Sequence, residues 1–341
     1  MIDSEYRKQI YRLIFSLAAI YNICFGLWAS LWPRSFFDSF KMAPLNYPGL
    51  WQCLGMVLGL YGLLYAYAAW HLDRAGPIIG VGLAGKILGP IGWLVTTHSG
   101  EWPVRTFTLI VFNDFVWWLP FALFLLEGTS LAGRLRRSAP FVCATVNLLA
   151  ALALAFVLRG GTEAVSSTAD RVAHIEHHLV LWRGGWAVWM VAGISLVAFY
   201  AWWGAWLAST GWSFVALIAA MLGLASDLFA ESLYIGWLPD RMENIAPAAS
   251  LLTGGVANGL YTVAGILLTV RTRALRGWLR AWAWTIWAAG LALSVCAFAD
   301  SVNGMMISTA VLMTLLCPWV TIFGWRLIRD SRPAYRPVKK S

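Results

Sequence analysis

"WSFVALIAAMLGLASDLFAESLYI", residues 212–235, is a run of 24 residues in which Asp227 and Glu231 are the only charged side chains. A transmembrane α-helix needs about 20 consecutive, mostly apolar residues, so this run predicts a helix that crosses a membrane. The two acids are four residues apart, which places their carboxyl groups one turn apart on one face of that helix. The run therefore predicts the fold. It also raises the question of why two carboxyl groups lie in a membrane helix, because carboxyl groups are costly in lipid.

The rest of the chain has the same character. Of its 341 residues, 60% are apolar and 12% are charged, and the mean hydropathy is +0.68. These values are typical of proteins that cross a membrane many times. We predict an all-α, polytopic integral membrane protein with about ten transmembrane helices, at residues 10–32, 50–70, 77–97, 106–126, 140–158, 180–208, 212–235, 248–270, 279–299 and 303–327.

The basic residues predict how these helices are oriented. Cytoplasmic loops of membrane proteins are enriched in Lys and Arg. The two ends of the chain and the loops on their side carry 17 basic residues, whereas the opposite loops carry 7. Both termini are therefore predicted to be cytoplasmic. This bias accounts for the net charge of +9, and no nucleic-acid partner is predicted.

A segment rich in Gly, Ser and Arg divides the apolar runs into two groups. We predict a four-helix transmembrane block at 1–127, a basic cytoplasmic linker at 128–139, a six-helix transmembrane block at 140–327 and a disordered basic tail at 328–341. The tail is expected to contact anionic membrane lipids. We predict that this multi-pass protein lies in the inner (plasma) membrane of a bacterium. We find no internal repeat, and the oligomeric state does not follow from the sequence.

Asp227 and Glu231 are the first candidates for a functional site. At about 1.5 Å per residue they lie roughly 12 Å and 6 Å inside the outer end of their helix. Acids at such depths face the interior of a helix bundle and often exchange protons or bind ligands. Asn258 and Tyr261, on the next helix, share a face by their spacing and are predicted to contribute to the same ligand site. The alternative is that these side chains only hold the bundle together.

His174, His177 and His178, in "HIEHH", form a second candidate cluster. In a helix their spacing places all three on one face. Three interpretations remain open: a ligand-binding or protonation role, a metal site completed by Glu176 or by the acid pair, and a polar face at the membrane surface. The pattern matches no metalloenzyme signature, and no metal or other cofactor is predicted.

Lys86, Asn113 and Asp114 form a third candidate set. Lys86 lies near the middle of one predicted helix, and Asp114 reaches a similar depth in the next. We expect Lys86 and Asp114 to neutralise each other, with Asn113 nearby, as a structural ion pair or as part of a ligand site. Pro90 has no N–H to bond the carbonyl group of Lys86, so we expect that carbonyl to be open to a ligand or to water.

No sequence motif identifies a reaction. The chain contains no Walker A, GxSxG, CxxC or HExxH pattern. We predict a membrane protein that binds or transports a small or lipophilic ligand through a polar intramembrane pocket, open to the outer face and coupled to protons. One alternative is a membrane-embedded enzyme whose intramembrane acids act as acid and base on a lipid or isoprenoid. Another is a structural or accessory subunit.

Overall fold

The computed structural model describes residues 4–207 and 210–330. Every regular element in these ranges is helical, and the predicted tail at 328–341 lies outside them from residue 331 on. The predicted all-α, polytopic fold is confirmed. Ten segments of the described chain are long and apolar enough to cross a membrane: Glu5–Leu31, Pro48–Trp70, Gly76–His98, Val104–Leu125, Ser130–Gly161, Leu179–Gly204, Gly211–Gly236, Met242–Arg271, Trp278–Phe298 and Val302–Arg329.

Several of these segments contain more than one helical element. Short 3-10 turns occupy Leu72–Arg74, Val104–Thr106 and Arg159–Gly161. The α-helices are, in chain order, α1 Glu5–Leu31, α2 Pro33–Ser39, α3 Pro48–Trp70, α4 Gly76–His98, α5 Phe107–Ile110, α6 Val116–Leu125, α7 Ser130–Ala153, α8 Thr168–His177, α9 Leu179–Gly204, α10 Thr210–Gly236, α11 Met242–Ser250, α12 Asn258–Arg271, α13 Trp278–Phe298 and α14 Val302–Asp330.

Proline and glycine set the start of several helices. Pro33, Pro48 and Pro77 occupy the first turn of α2, α3 and α4, where the missing N–H costs no intrahelical hydrogen bond. Gly277 precedes α13 with a φ of 59°, a left-handed conformation that glycine adopts without steric cost. These residues fix where each apolar segment begins, and hence which of its side chains lie near the middle of the membrane.

The chain folds into two compact units, and each unit takes residues from two parts of the sequence. The first comprises the described residues up to Gly133 together with Leu228–Ala249. The second comprises the described residues of Arg134–Asp227 together with those from Ser250 on. The chain therefore passes from one unit into the other within α10.

The segment predicted as a linker is mostly helical. Residues 130–139 of the predicted linker at 128–139 form the first turns of α7. The division into blocks at 1–127 and 140–327 stays a prediction.

The first unit contains a close pair of helices, α1 and α3. A Cβ atom at Gly26 would lie 2.6 Å from the carbonyl oxygen of Gly55 and 2.7 Å from the amide nitrogen of Gly59. Only glycine permits this approach, which is the usual way in which small residues bring membrane helices together. Nearby, the rings of Phe15 and Phe121 pack edge to face with centroids 5.7 Å apart.

The second unit has an aromatic core on α9, α13 and α14. The indole N–H of Trp203 donates to Thr272 Oγ1 and that of Trp287 to Thr269 Oγ1, both at 2.8 Å. Trp319 packs against Trp203 with ring centroids 5.5 Å apart. Because the two indole N–H groups have buried partners, Trp203 and Trp287 can be core residues without leaving a polar atom unsatisfied.

Three segments of the described chain are π-helical: Val111–Phe115, Leu154–Leu158 and Leu251–Ala257. A π turn holds one residue more than an α turn, and π turns occur frequently at functional sites. Asp114 lies in the first segment and Thr253 in the third. The carbonyl oxygen of Val157, in the second, accepts a hydrogen bond from a histidine ring. Each π turn therefore carries a polar contact within an apolar span.

Candidate intramembrane polar sites

Asp227, on α10, lies in a small hydroxyl-lined site within the second unit. Its side chain is buried, with 6% of its surface exposed. The hydroxyl group of Thr253 donates to Oδ1, and the hydroxyl group of Tyr261 donates to Oδ2 at 3.2 Å. Both carboxyl oxygens therefore have a partner, and both partners come from the segment that contains α12.

Two glycines allow three helices to meet at this site. A Cβ atom at Gly193, on α9, would lie 3.1 Å from the hydroxyl oxygen of Tyr261 and 3.3 Å from Asp227 Oδ2. A Cβ atom at Gly223, on α10, would lie 3.0 Å from the carbonyl oxygen of Ala257 and 3.1 Å from the ring of Tyr261. Since these distances leave little room for a methyl group, small residues keep the helices close enough for the hydroxyl contacts to form.

Thr253 was not among the residues predicted from the sequence. It precedes Tyr261 by eight residues, and in a regular α-helix of 3.6 residues per turn the two side chains would point roughly 80° apart. The wider turns of Leu251–Ala257 take up this difference, so both hydroxyl groups reach Asp227. From the sequence alone, the spacing of Thr253 and Tyr261 would indicate a shared contact only if the π turn were already known.

The structure places Asn258 at a different contact. Its amide nitrogen donates to the carbonyl oxygen of Gly290 at 2.6 Å and to Ser294 Oγ at 2.9 Å, both on α13. A ligand site shared by Asn258 and Tyr261 therefore stays a prediction. Of the two side chains, Tyr261 contacts Asp227 whereas Asn258 contacts α13. The reason is that residues three apart on a helix differ by about 60° in direction, which is enough for them to face different neighbours.

Glu231 follows Asp227 by one turn on α10. It is fully buried, with 0% of its surface exposed, as expected for an acid in an apolar helix. It belongs to the first unit, whereas Asp227 and its hydroxyl partners belong to the second. The neighbouring Ser232 shares a hydrogen bond of 3.0 Å with the hydroxyl of Thr108.

Lys86, Asn113 and Asp114 come together in the first unit, as their depths indicate. Lys86 and Asp114 are 5% and 2% exposed. Lys86 Nζ donates to Asn113 Oδ1 at 3.4 Å, and Asn113 Nδ2 donates to Asp114 Oδ1 at 2.9 Å. In this part of the described chain no direct ion pair joins the two charges. The Asn113 amide instead connects the two side chains by hydrogen bonds, and their mutual neutralisation stays a prediction.

The carbonyl group of Lys86 is not open, contrary to expectation. Pro90 leaves it without its usual helical donor. The indole Nε1 of Trp118, on α6, donates to this oxygen at 2.9 Å. An aromatic side chain from the next helix therefore takes the place that water or a ligand was expected to occupy.

Of the three histidines, His174 and His178 lie together. His174 Nε2 bonds the carbonyl oxygen of Val157 at 2.9 Å, and its ring lies 5.0 Å from that of His178, although α8 ends at His177 and His178 is its C-cap. His177 is exposed and bonds the carbonyl oxygen of Ala173 on its own helix at 3.2 Å. A ligand-binding role for these histidines stays a prediction.

These positions bear on the interpretation of the histidines as metal ligands. Within residues 4–207 and 210–330, no three His, Cys, Asp or Glu side chains lie together so that they could hold a metal ion. His174 and His177 each bond a backbone carbonyl oxygen.

The architecture defines a polytopic, helical membrane protein with separate buried polar sites in its two units. No protein-family model matches the chain, and comparison with curated proteins and with solved structures finds no similar one either. We therefore infer function from the side chains themselves.

Proposed function

We propose that the protein binds a small or lipophilic ligand and moves it across the membrane, with the Asp227 carboxyl group as the proton or ligand site. The observation that carries this proposal is the setting of that carboxyl group. It is buried within an apolar helical unit, and hydroxyl groups of Thr253 and Tyr261 donate to its two oxygens. Among the described residues no Lys, Arg or His pairs with it.

The proposal depends on what a carboxyl group can do that a neutral side chain cannot. An asparagine could also bond both hydroxyl groups, since its amide oxygen would accept from one and its N–H would donate to the other, so a structural contact alone does not require an acid here. An ionised Asp near the centre of a membrane helix costs about 2.5–3.5 kcal/mol, and binding a proton or a cationic group removes that cost. Hydroxyl groups can rotate to donate or accept, so Thr253 and Tyr261 can follow Asp227 through a change of charge.

We infer the side of the membrane from which the ligand reaches Asp227 from the excess of basic residues in the loops on one side. With both termini cytoplasmic, α10 runs outwards and Asp227 lies in the outer half of the membrane. We therefore propose that the ligand reaches Asp227 from the outer face of a plasma membrane. The basic tail would then lie on the cytoplasmic side, against anionic lipids.

The first experiment identifies the ligand. The full-length protein is purified in a mild detergent, and co-purifying small molecules and lipids are measured by mass spectrometry. We expect one compound at about one copy per protein, lost in Asp227→Asn. Asp300→Asn is the matched control, because Asp300 is exposed and has a φ of 51°, which asparagine tolerates. A compound retained equally by both variants would contradict the role of Asp227.

The second experiment tests transport. The compound found in the first is offered to proteoliposomes with and without an imposed pH gradient. We expect uptake that depends on the gradient in the unmodified protein and no uptake in Asp227→Asn. An Asp227→Asn protein that does not fold or insert would instead show that the carboxyl group is structural. Chemical conversion of the compound would show that the protein is a membrane-embedded enzyme.

A further inference from the structure

Asp114 has a carboxyl oxygen that nothing in the described chain satisfies. Oδ1 accepts from Asn113, whereas Oδ2 is buried and has no hydrogen-bond partner. The residue as a whole is 2% exposed. Buried polar atoms in proteins almost always have a partner, and a carboxyl oxygen is a strong acceptor. Among the described residues, Oδ2 is thus an acceptor that could take a further hydrogen-bond donor.

The direction from which such a donor can come is set by Gly89, on α4. A Cβ atom at this position would lie 2.9 Å from Asp114 Oδ2, and its three nearest neighbours would all be atoms of that carboxyl group. Gly89 is itself exposed. The carboxyl group thus packs against Gly89, an exposed position at which α4 has no side chain.

The outer face of α4 around Gly89 is apolar and notched. Gly85 and Gly92 are exposed, and a Cβ atom at either position would have no neighbour within 4 Å. Leu88 and Ile91, also exposed, lie beside them at 65% and 52%. In a membrane this face meets hydrocarbon chains. A narrow molecule could therefore lie along α4 and reach the Asp114 carboxyl at Gly89.

We infer that this notch is a lateral binding site for a neutral lipophilic alcohol, whose hydroxyl group donates to Asp114 Oδ2 and whose chain lies along α4. The need for a donor excludes ligands that offer only ester or ketone oxygens. Lys86 and Asp114 already bring one positive and one negative charge, so a charged ligand would leave a net charge in the membrane. A neutral hydroxyl group meets both conditions. The site is in the first unit and does not depend on the role proposed for Asp227.

A second copy of the same helix does not fit this notch as well. The exposed residues of α4 beside Gly89 are Gly85, Leu88, Ile91 and Gly92, and none of them has a side-chain donor. A pair of α4 helices would therefore pack closely but leave Oδ2 unsatisfied. The position of Asp114 in a π turn favours a small-molecule ligand further, because such turns occur often at binding sites.

The test compares labelling by a probe that carries a hydroxyl donor with labelling by a probe that lacks it. Hexadecan-1-ol with a diazirine near its hydroxyl end is compared with the methyl ether of the same molecule. The full-length protein is placed in nanodiscs of phosphatidylcholine, which has no free hydroxyl group to compete. After photolysis, labelled peptides are mapped by mass spectrometry. We expect the alcohol to label residues 85–92 on the order of tenfold more than the ether, because a hydrogen bond to a charged acceptor is lost.

Matched glycine variants locate the site. Gly89→Ala should lower labelling by the alcohol at least about fivefold, since the new methyl group would lie 2.9 Å from Asp114 Oδ2. Gly80→Ala makes the same change on α4 outside the notch, where no atom is near, and should leave labelling unchanged, as should Asp227→Asn. Equal labelling by alcohol and ether, or no labelling of residues 85–92 by either because another α4 covers them, would overturn the inference. If Gly89→Ala does not fold, the comparison of the alcohol with the ether in the unmodified protein still tests the inference.

Discussion

The Tyr261→Phe variant tests whether the Asp227 site is assembled as the structure shows. The change removes one hydroxyl group and keeps the ring that packs against Gly223. The lost hydrogen bond is 3.2 Å long, beyond the usual 2.7–2.8 Å for O–H···O, so it should be of moderate strength. Hydrogen bonds between membrane helices average about 0.6 kcal/mol and reach about 1.7 kcal/mol. We therefore expect a coupling free energy of about 1 kcal/mol between Tyr261 and Asp227, or roughly a factor of five in an equilibrium constant.

The measurement is a double-mutant cycle of Tyr261→Phe and Asp227→Ala, in which each variant is unfolded reversibly in mixtures of a mild detergent and sodium dodecyl sulfate. Other contacts of either residue cancel in the cycle. Tyr47→Phe is the control, because this side chain is 73% exposed and the same atom is removed. Additive effects of the two changes would refute the reasoning, since they would show that the hydroxyl group and the carboxyl group do not interact.

Three further predictions concern helix packing and orientation. Trp118→Phe removes the donor to the Lys86 carbonyl and should lower the free energy of unfolding by about 0.5–1.5 kcal/mol, measured by circular dichroism in the same detergent mixtures. Gly26→Ala places a methyl group against the backbone of α3 and should cost about 1–3 kcal/mol in the same assay. A cysteine at exposed Glu101 should react with a membrane-impermeant maleimide in intact cells, whereas one at exposed Arg273 should react only after lysis, because both termini are predicted to be cytoplasmic.

Each of these variants has a control or a contrary outcome. Trp70→Phe alters an indole that is 77% exposed and should leave stability unchanged. Gly80→Ala adds a methyl group where no atom lies within 4 Å, so it should not destabilise. Labelling of Arg273→Cys but not of Glu101→Cys in intact cells would reverse the predicted orientation and with it the direction of access proposed for Asp227.

The membrane spans could be predicted because length and apolar character alone decide them. The grouping of Lys86 with Asp114 could also be predicted, since equal depth on successive helices brings side chains near one another. The contact between Asp227 and Tyr261 followed from the same reasoning.

The details that could not be predicted depend on local geometry that periodicity does not report. Thr253 reaches Asp227 only because a π turn changes the direction of its side chain. Asn258 faces α13 because a rotation of 60° is decisive at close packing. An added residue in a turn, or a modest difference in direction around a helix, is enough to change which neighbour a side chain contacts.

The π turn at Leu251–Ala257 also lets this span hold one more residue without turning the two hydroxyl groups away from Asp227. Deleting one residue between Thr253 and Tyr261 would leave them seven apart, a separation that places two side chains within about 20° of each other in a regular α-helix. The span Met242–Arg271 has 30 residues, so the shortened segment would still cross a membrane. A deletion in a regular α-helix would instead rotate the residues beyond it by about 100°. The π turn is therefore a place where the length of this span could change while the Asp227 site stays assembled.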